Sequence, residues 1–172
     1  VILIIDYYLG LLDMDYMKLI NFLLSRYGYV RDDYFKKTSY NKFMRGEIKS
    51  IAKGDYARFN EGLYCHHIDE NQFKNMSNAN YIIAQNIPFE YQRKDRLVYC
   101  NLLEHTILHA LIVIDTQGRF GFEGLVNYLM PTVMEWYLFE KVPSNKRFFP
   151  AYIKSFLYKD EAEIVIEAIK RK

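Results

Sequence analysis

The chain has 172 residues, of which 51% are hydrophobic, and a net charge of +2 at pH 7. This is the size of one ordinary domain, with enough apolar residues for a buried core. The small net charge excludes a strongly basic nucleic-acid coat, and two cysteines are too few for a disulfide framework or a four-cysteine zinc site.

The N-terminal part, residues 1–60, is expected to be helical. Its opening apolar run, residues 1–12, contains an acidic residue and continues into two more, which argues against a signal peptide and against a membrane span. Apolar residues recur at helical spacing over residues 14–27. A second helix is predicted within residues 40–52, and Gly54 is expected to end it.

Basic residues cluster in residues 31–58, where eight basic and four acidic side chains alternate with aromatic ones. Two interpretations stay open: a surface that binds phosphate, or the solvated face of a helix. The candidates for phosphate contacts, in this stretch and just before the second predicted strand, are Lys49, Lys53, Arg58, Arg93 and Lys94.

The central part, residues 61–114, contains two predicted strands and a helix. The β-prone run 62–68 is expected to be a strand that ends in a loop, and residues 71–93 a long loop with one helical turn. A second strand follows, Leu97–Cys100. Asn101 and Glu104 are then arranged as a capping box, which predicts a helix from there to about residue 114.

The C-terminal part, residues 115–172, is predicted to be helical again. One helix is expected over residues 123–140, kinked or split by Pro131, and another over residues 160–170. We therefore expect a single domain, residues 1–172, of the α+β class. It should be mainly helical, with a small core of two short antiparallel strands and one helix.

All four histidines belong to this central part. His105 and His109 are four residues apart, so their Cβ atoms should lie roughly 5–6 Å apart on one face of the helix. Two imidazoles so placed can bind one metal ion, and a third ligand could come from the strand that ends in His66 and His67. Successive strand residues diverge, so only one of this pair should join the metal, and the other is free to act as a general base.

This order of motifs resembles the HNH nucleases of the ββα-metal class, in the variant of the colicin-type DNases. There a His-His pair ends the first strand and a helix carries His-x-x-x-His, as His105 and His109 do here. The resemblance covers about a third of the chain and implies that residues 61–114 form the nuclease core. It implies that His66, His105 and His109 are metal ligands and that His67 is the general base.

The chain departs from the family pattern at two points. The stretch between the His-His pair and the second strand is longer than in compact members. The family's central Asn, nine residues before the first helix histidine, corresponds to Arg96. The Asn fixes the loop after the base, whereas Arg96 can only donate hydrogen bonds. Arg96 is therefore predicted to be a catalytic residue that clamps phosphate or stabilises transition-state charge, with a surface arginine as the alternative. Asn101 or one of the loop asparagines could then hold the loop instead.

The resemblance implies a metal-dependent endonuclease that leaves 5′-phosphate and 3′-hydroxyl ends. Its cofactor would be one divalent ion, and imidazole ligands favour Zn, Ni, Mn or Co over Mg. The expected partner is DNA, with RNA and a homodimeric assembly left open, and no membrane is expected. The two cysteines favour a reduced, cytoplasmic protein. The resemblance implies a bacterial or phage origin.

Other interpretations have weaker support in the sequence. Zinc peptidases need Glu directly after the first helix histidine, where this chain has Thr106. Cys65 and Cys100 could be metal ligands, but packing in the core is the favoured role. The main alternative is a non-catalytic module stapled by zinc, that is, one in which the ion only stabilises the fold. Such a structural site is closed by four protein ligands, whereas a catalytic site keeps one position open. A helical interaction protein without metal is the third.

Overall fold

The computed structural model describes residues 3–172 and is mainly helical, at 61%, with two short antiparallel strands. The predicted α+β class is therefore confirmed. The helices are α1 (Ile4–Leu12), α2 (Tyr16–Tyr27), α3 (Lys37–Met44), α4 (Ala79–Gln85), α5 (Leu102–Asp115), α6 (Phe122–Gly124), α7 (Met130–Val133), α8 (Phe149–Lys154) and α9 (Lys159–Arg171). The strands are β1 (Tyr64–His67) and β2 (Leu97–Cys100).

Helix α2 lies where the apolar spacing of residues 14–27 predicts a helix. The carboxylate of Asp15 accepts a hydrogen bond from the Lys18 amide at 2.8 Å and so caps α2, and Gly28 ends this helix with a φ of 79°. The opening apolar run forms α1 from Ile4 onwards, and its first two residues lie outside the described part.

The second predicted helix is wrong over most of its length. Helix α3 begins earlier than expected and ends at Met44, and residues 45–58 are irregular. The reason is tertiary: the Gly54 amide donates to the Tyr34 carbonyl at 2.9 Å, and a Cβ at Gly54 would come within 1.9 Å of the Asp33 carbonyl oxygen. Gly54 thus allows a close backbone approach instead of ending a helix.

The two strands form an antiparallel pair, and β1 carries His66 and His67. Their register places His66 opposite Val98 and His67 opposite Leu97. Alternate residues of β2 enter different hydrophobic clusters: Val98 and Cys100 pack with α1, α2, α5 and α9, whereas Leu97 and Tyr99 pack with the aromatic residues of the N-terminal loops. The pair is therefore sandwiched between two cores.

Helix α5 begins as predicted. The Asn101 side chain accepts from the Glu104 amide at 2.8 Å, and the Glu104 carboxylate accepts from the Asn101 amide at 2.7 Å. The Glu104 carboxylate also accepts from the hydroxyls of Tyr7 and Tyr27, which ties α5 to the N-terminal helices. This double role fixes the direction of the α5 face that carries His105 and His109.

The predicted helix over residues 123–140 is interrupted differently from the expectation. Two π-helical turns, Leu125–Leu129 and Met134–Leu138, flank α7, and Pro131 lies in the first turn of α7, where a missing N–H is tolerated. No helix in residues 3–172 is both long and apolar enough to cross a membrane.

Candidate metal centre

Three histidines converge where β1 packs on α5. One ring nitrogen each from His66, His105 and His109 lies within 4.8 Å of the other two, so the group could hold a metal ion. Two ligands come from one face of α5, and the third comes from the adjacent strand. These are the three residues that the family resemblance implies as ligands.

Hydrogen bonding fixes the tautomer of His66. The Tyr16 hydroxyl donates its one hydrogen to the Ile68 carbonyl at 2.7 Å, so the 2.9 Å hydrogen bond between Tyr16 and His66 must be donated by Nε2–H of the imidazole. The Nδ1 atom of His66 is then an unprotonated acceptor, buried and without a hydrogen-bond partner. Burial lowers the pKa of His66 to about 3.

The surroundings of the two helix histidines also influence the state of their ring nitrogens. Nδ1 of His105 is likewise buried without a partner, and burial, together with the neighbouring imidazoles, holds the pKa of His105 well below its usual value. His109 donates its Nδ1–H to the Gly121 carbonyl at 3.0 Å, which directs Nε2 towards the cluster. A backbone carbonyl that orients a ligating imidazole is a common outer-shell arrangement in metal sites. The unpartnered Nδ1 acceptor of His66 is costly to bury, and a bound cation would satisfy it.

Glu70 is a member of this site that the sequence analysis missed. Its Oε2 atom lies 2.9 Å from Nε2 of His109 and 3.9 Å from Nδ1 of His66, and its Oε1 atom lies 3.9 Å from Nδ1 of His67. The side chain is 16% exposed. A carboxylate here could be a fourth ligand or could accept a proton from bound water. The only signal in the sequence was an acidic residue one helical turn after the His-His pair.

Charge within the site favours an ionised carboxylate. Burial raises the pKa of Glu70, but the adjacent His109, His66 and His67 outweigh burial and hold this pKa well below its usual value. Burial lowers the pKa of His109, but the charge and hydrogen bond of Glu70 and the Gly121 carbonyl raise it overall. In the metal-free protein, Glu70 and His109 therefore form an ion pair.

His67 lies outside the cluster, as strand alternation predicts. The Gln92 side-chain amide donates from Nε2 to the Met76 carbonyl at 3.0 Å, so its Oε1 atom is the acceptor for Nε2–H of His67 at 2.8 Å. Nδ1 of His67 is then unprotonated and faces Glu70 at 3.9 Å. Burial lowers the pKa of His67, so this imidazole is a neutral base. Gln92 fixes this tautomer, and nothing in the local sequence marked it.

The site opens into a cleft of about 660 Å³. Glu70, His105 and His109 line it, between one wall from residues 73–81 and another from residues 118–129. The walls are joined by Glu123, which lies 3.8 Å from the Lys74 ammonium and accepts from the Tyr81 hydroxyl at 3.3 Å. The helix that forms the second wall packs closely on the site, because a Cβ at Gly124 would lie 2.6 Å from Cε1 of His109.

Arg96 is paired with a carboxylate of the loop that follows His67. Its Nε–H donates to Oδ2 of Asp69 at 2.7 Å, and its Nη2 donates to Oδ1 of the same carboxylate. Arg96 thereby fixes the turn after the candidate base, as the resemblance implies for the family's Asn. Its predicted catalytic role stays a prediction.

The other basic residues that were predicted to contact phosphate do not line the cleft. Arg58 donates to Glu61 and to the Tyr27 carbonyl and lies over the Tyr99 ring at 4.9 Å, so its guanidinium is engaged within the fold. The side chains of Lys49, Lys53, Arg93 and Lys94 are exposed. Their binding to nucleic acid stays a prediction, and the cations that do line the cleft, Lys74 and Arg119, were not singled out in the sequence.

The cysteines do not join the three-histidine group. Cys100 is fully buried in the larger core cluster, and Cys65 packs against the other cluster. Burial raises the pKa of both thiols, which keeps them neutral. The favoured interpretation of core packing agrees with these positions.

Comparison with known proteins gives no family assignment: no family model, no curated protein and no solved structure matches this chain. Any functional conclusion therefore depends on the geometry of the site itself.

Proposed function

We propose that this protein is a metal-dependent endonuclease that hydrolyses phosphodiester bonds in nucleic acid, with DNA as the expected substrate. The observation that carries the proposal is that three histidines form one group while the fourth lies just outside it. Three converge with unpartnered or correctly directed nitrogens, while the fourth holds an unprotonated Nδ1 just outside the group. This is the combination that water activation beside a metal ion requires.

In this account His66, His105 and His109 hold one divalent ion, which supplies charge stabilisation on the scissile phosphate and on the leaving oxygen. The ligand set favours Zn, Ni, Mn or Co, and a carboxylate oxygen from Glu70 would widen the choice to Mg.

His67 takes the proton of the attacking water on its free Nδ1. The imidazolium that forms is stabilised by the carboxylate of Glu70, 3.9 Å away, and by the Gln92 carbonyl oxygen, which keeps its hydrogen bond to Nε2–H. The resulting hydroxide attacks phosphorus in line with the 3′ oxygen, the bond from phosphorus to that oxygen breaks, and the leaving oxygen takes a proton from solvent water. The products carry 5′-phosphate and 3′-hydroxyl ends. Arg96 acts here by holding Asp69 and the turn behind His67.

A non-catalytic module stapled by zinc is the second candidate, and the position of Glu70 favours it. A carboxylate 2.9 Å from His109 could complete four protein ligands and close the site. Such a site would bind metal tightly and cut nothing.

Cleavage assays separate the two candidates. The wild-type protein and a His67→Ala variant are incubated with supercoiled plasmid and with circular single-stranded DNA in Mg, Mn, Ni, Co or Zn. We expect metal-dependent cutting by the wild type and a loss of roughly 100-fold or more in the variant, whose bound metal is measured in the same samples. End-labelling should show 5′-phosphates. Absence of cutting with every metal, at full metal occupancy, would favour the zinc-stapled module.

A further inference from the structure

The cleft is lined by aromatic rings that belong to neither hydrophobic cluster. Tyr128 is 68% exposed and Phe122 is 50% exposed, and both line the wall formed by residues 118–129. Tyr81 lines the opposite wall. Exposed rings at the entrance of a cleft are suited to stacking on a flat, apolar ligand such as a nucleobase.

A free cation lies beside these rings. Arg119 lines the cleft, and among residues 3–172 its guanidinium pairs with no carboxylate. Lys74, on the other wall, is paired with Glu123, whose Oε1 atom lies 3.8 Å from the ammonium nitrogen. Guanidinium groups bind phosphate oxygens in a bidentate manner, so Arg119 can hold a backbone phosphate near the aromatic rings.

The size of the cleft argues against a duplex inside it. Cavities of about 300–1,000 Å³ enclose ligands of one or two nucleotides in size, and this cleft has a volume of about 660 Å³. In a duplex the bases are stacked on each other, so they meet an aromatic side chain only when the enzyme extrudes them. His105 and His109 line this recess, so substrate must enter it to reach them.

We infer that the cleft binds single-stranded nucleic acid, with bases stacked on Tyr128 and Phe122 and a phosphate on Arg119. This inference rests on the proposed nuclease function and names its substrate class. The recess itself selects unpaired nucleotides.

Fluorescence anisotropy tests the inference without any cleavage. Labelled 12-nucleotide single strands of DNA and of RNA, the matching DNA duplex and a mononucleotide are titrated in EDTA, where metal-dependent cutting cannot occur. We expect at least one of the two single strands to bind about 10-fold more tightly than the duplex and the mononucleotide. Comparison of the DNA and RNA strands identifies the preferred sugar.

Two variants and two matched controls locate the binding. Tyr128→Ala should weaken single-strand binding about 10-fold, because one stacked base is lost. Arg119→Ala should weaken it and lower the slope of log affinity against log salt concentration by about 1. Tyr29→Ala, at a tyrosine that is 82% exposed outside the cleft, and Arg171→Ala, in α9, should have no effect.

Equal or tighter binding of the duplex overturns the inference, and so does equal binding by Tyr128→Ala and Tyr29→Ala. The outcome is separable from that of the cleavage assay. Preferential single-strand binding without cutting would refute the nuclease and leave the inference standing. Metal-dependent cutting of duplex by a protein that does not prefer single strands would support the nuclease and refute the inference.

Discussion

At the residue scale, three of the four imidazoles are each oriented by one specific hydrogen-bond partner. Tyr16 directs His66, the Gly121 carbonyl directs His109, and Gln92 directs His67. The histidines themselves could be predicted from their spacing. Their partners come from distant parts of the chain and are brought in by packing, so no local pattern could identify them.

Gly124 provides a test of how tightly His109 is held. A Cβ at this position would lie 2.6 Å from Cε1 and 2.8 Å from Nδ1 of His109, so Gly124→Ala should displace the ring and break its hydrogen bond to Gly121. We expect metal affinity to fall about 10- to 100-fold, the range seen when the outer-shell partner of a ligand is lost. Isothermal titration with Zn and with Mn measures it.

Gly10→Ala is the matched control, because a Cβ at Gly10 in α1 meets nothing within 4 Å. This change should leave metal affinity unchanged and raise the free energy of unfolding by about 0.5–1 kcal/mol. Equal metal affinity in Gly124→Ala and the wild type would mean that His109 is not a ligand or that its ring is free to move.

At the scale of elements, β1, β2 and α5 were the most predictable part of the fold. The capping box of Asn101 and Glu104 fixed the start of α5, and β2 has the predicted bounds. The region after α3 was not predictable, because its path depends on the close contact of Gly54 with Asp33. The cleft was not predictable either, since its walls, residues 73–81 and 118–129, are distant in sequence and meet at Glu123.

The pair of Arg96 and Asp69 joins the start of β2 to the turn after β1 and can be tested by a double-mutant cycle. If Arg96 acts only by positioning this turn, Arg96→Ala should lower kcat/KM in the wild type but cause no further loss in an Asp69→Ala background. The coupling in the free energy of unfolding should be about 1 kcal/mol, because Asp69 is buried and the guanidinium is partly exposed.

The exposed pair of Lys170 and Glu167, in α9, is the control for this cycle and should show coupling near zero. Fully additive losses of kcat/KM at Arg96 and Asp69 would contradict the positioning role. They would instead support the direct phosphate contact predicted from the sequence.

At the scale of the whole molecule, the three histidines lie where β1 packs on α5. Strand β2 pairs with β1 and contributes to both hydrophobic clusters, and α5 packs in the larger one. An ion bound to the histidines would join β1 to α5, so its removal should destabilise the fold.

Chelation measures this link between metal and folding. Zinc at 100 times its dissociation constant should stabilise the native state by about 2.7 kcal/mol, which corresponds to a rise in Tm of roughly 5–10 °C over the EDTA-treated protein. Differential scanning calorimetry gives both values. The rise should vanish in His109→Ala, and an equal rise in this variant would place the ion elsewhere.

The central claim is that three histidines bind one metal ion while His67 does not. The most direct test is the metal content of the wild type and of the four single His→Ala variants after dialysis against zinc, measured by mass spectrometry. We predict one ion per chain in the wild type and in His67→Ala, and loss of the ion in His66→Ala, His105→Ala and His109→Ala. A wild type without metal, or a His67→Ala variant that loses its ion as the others do, would contradict the claim.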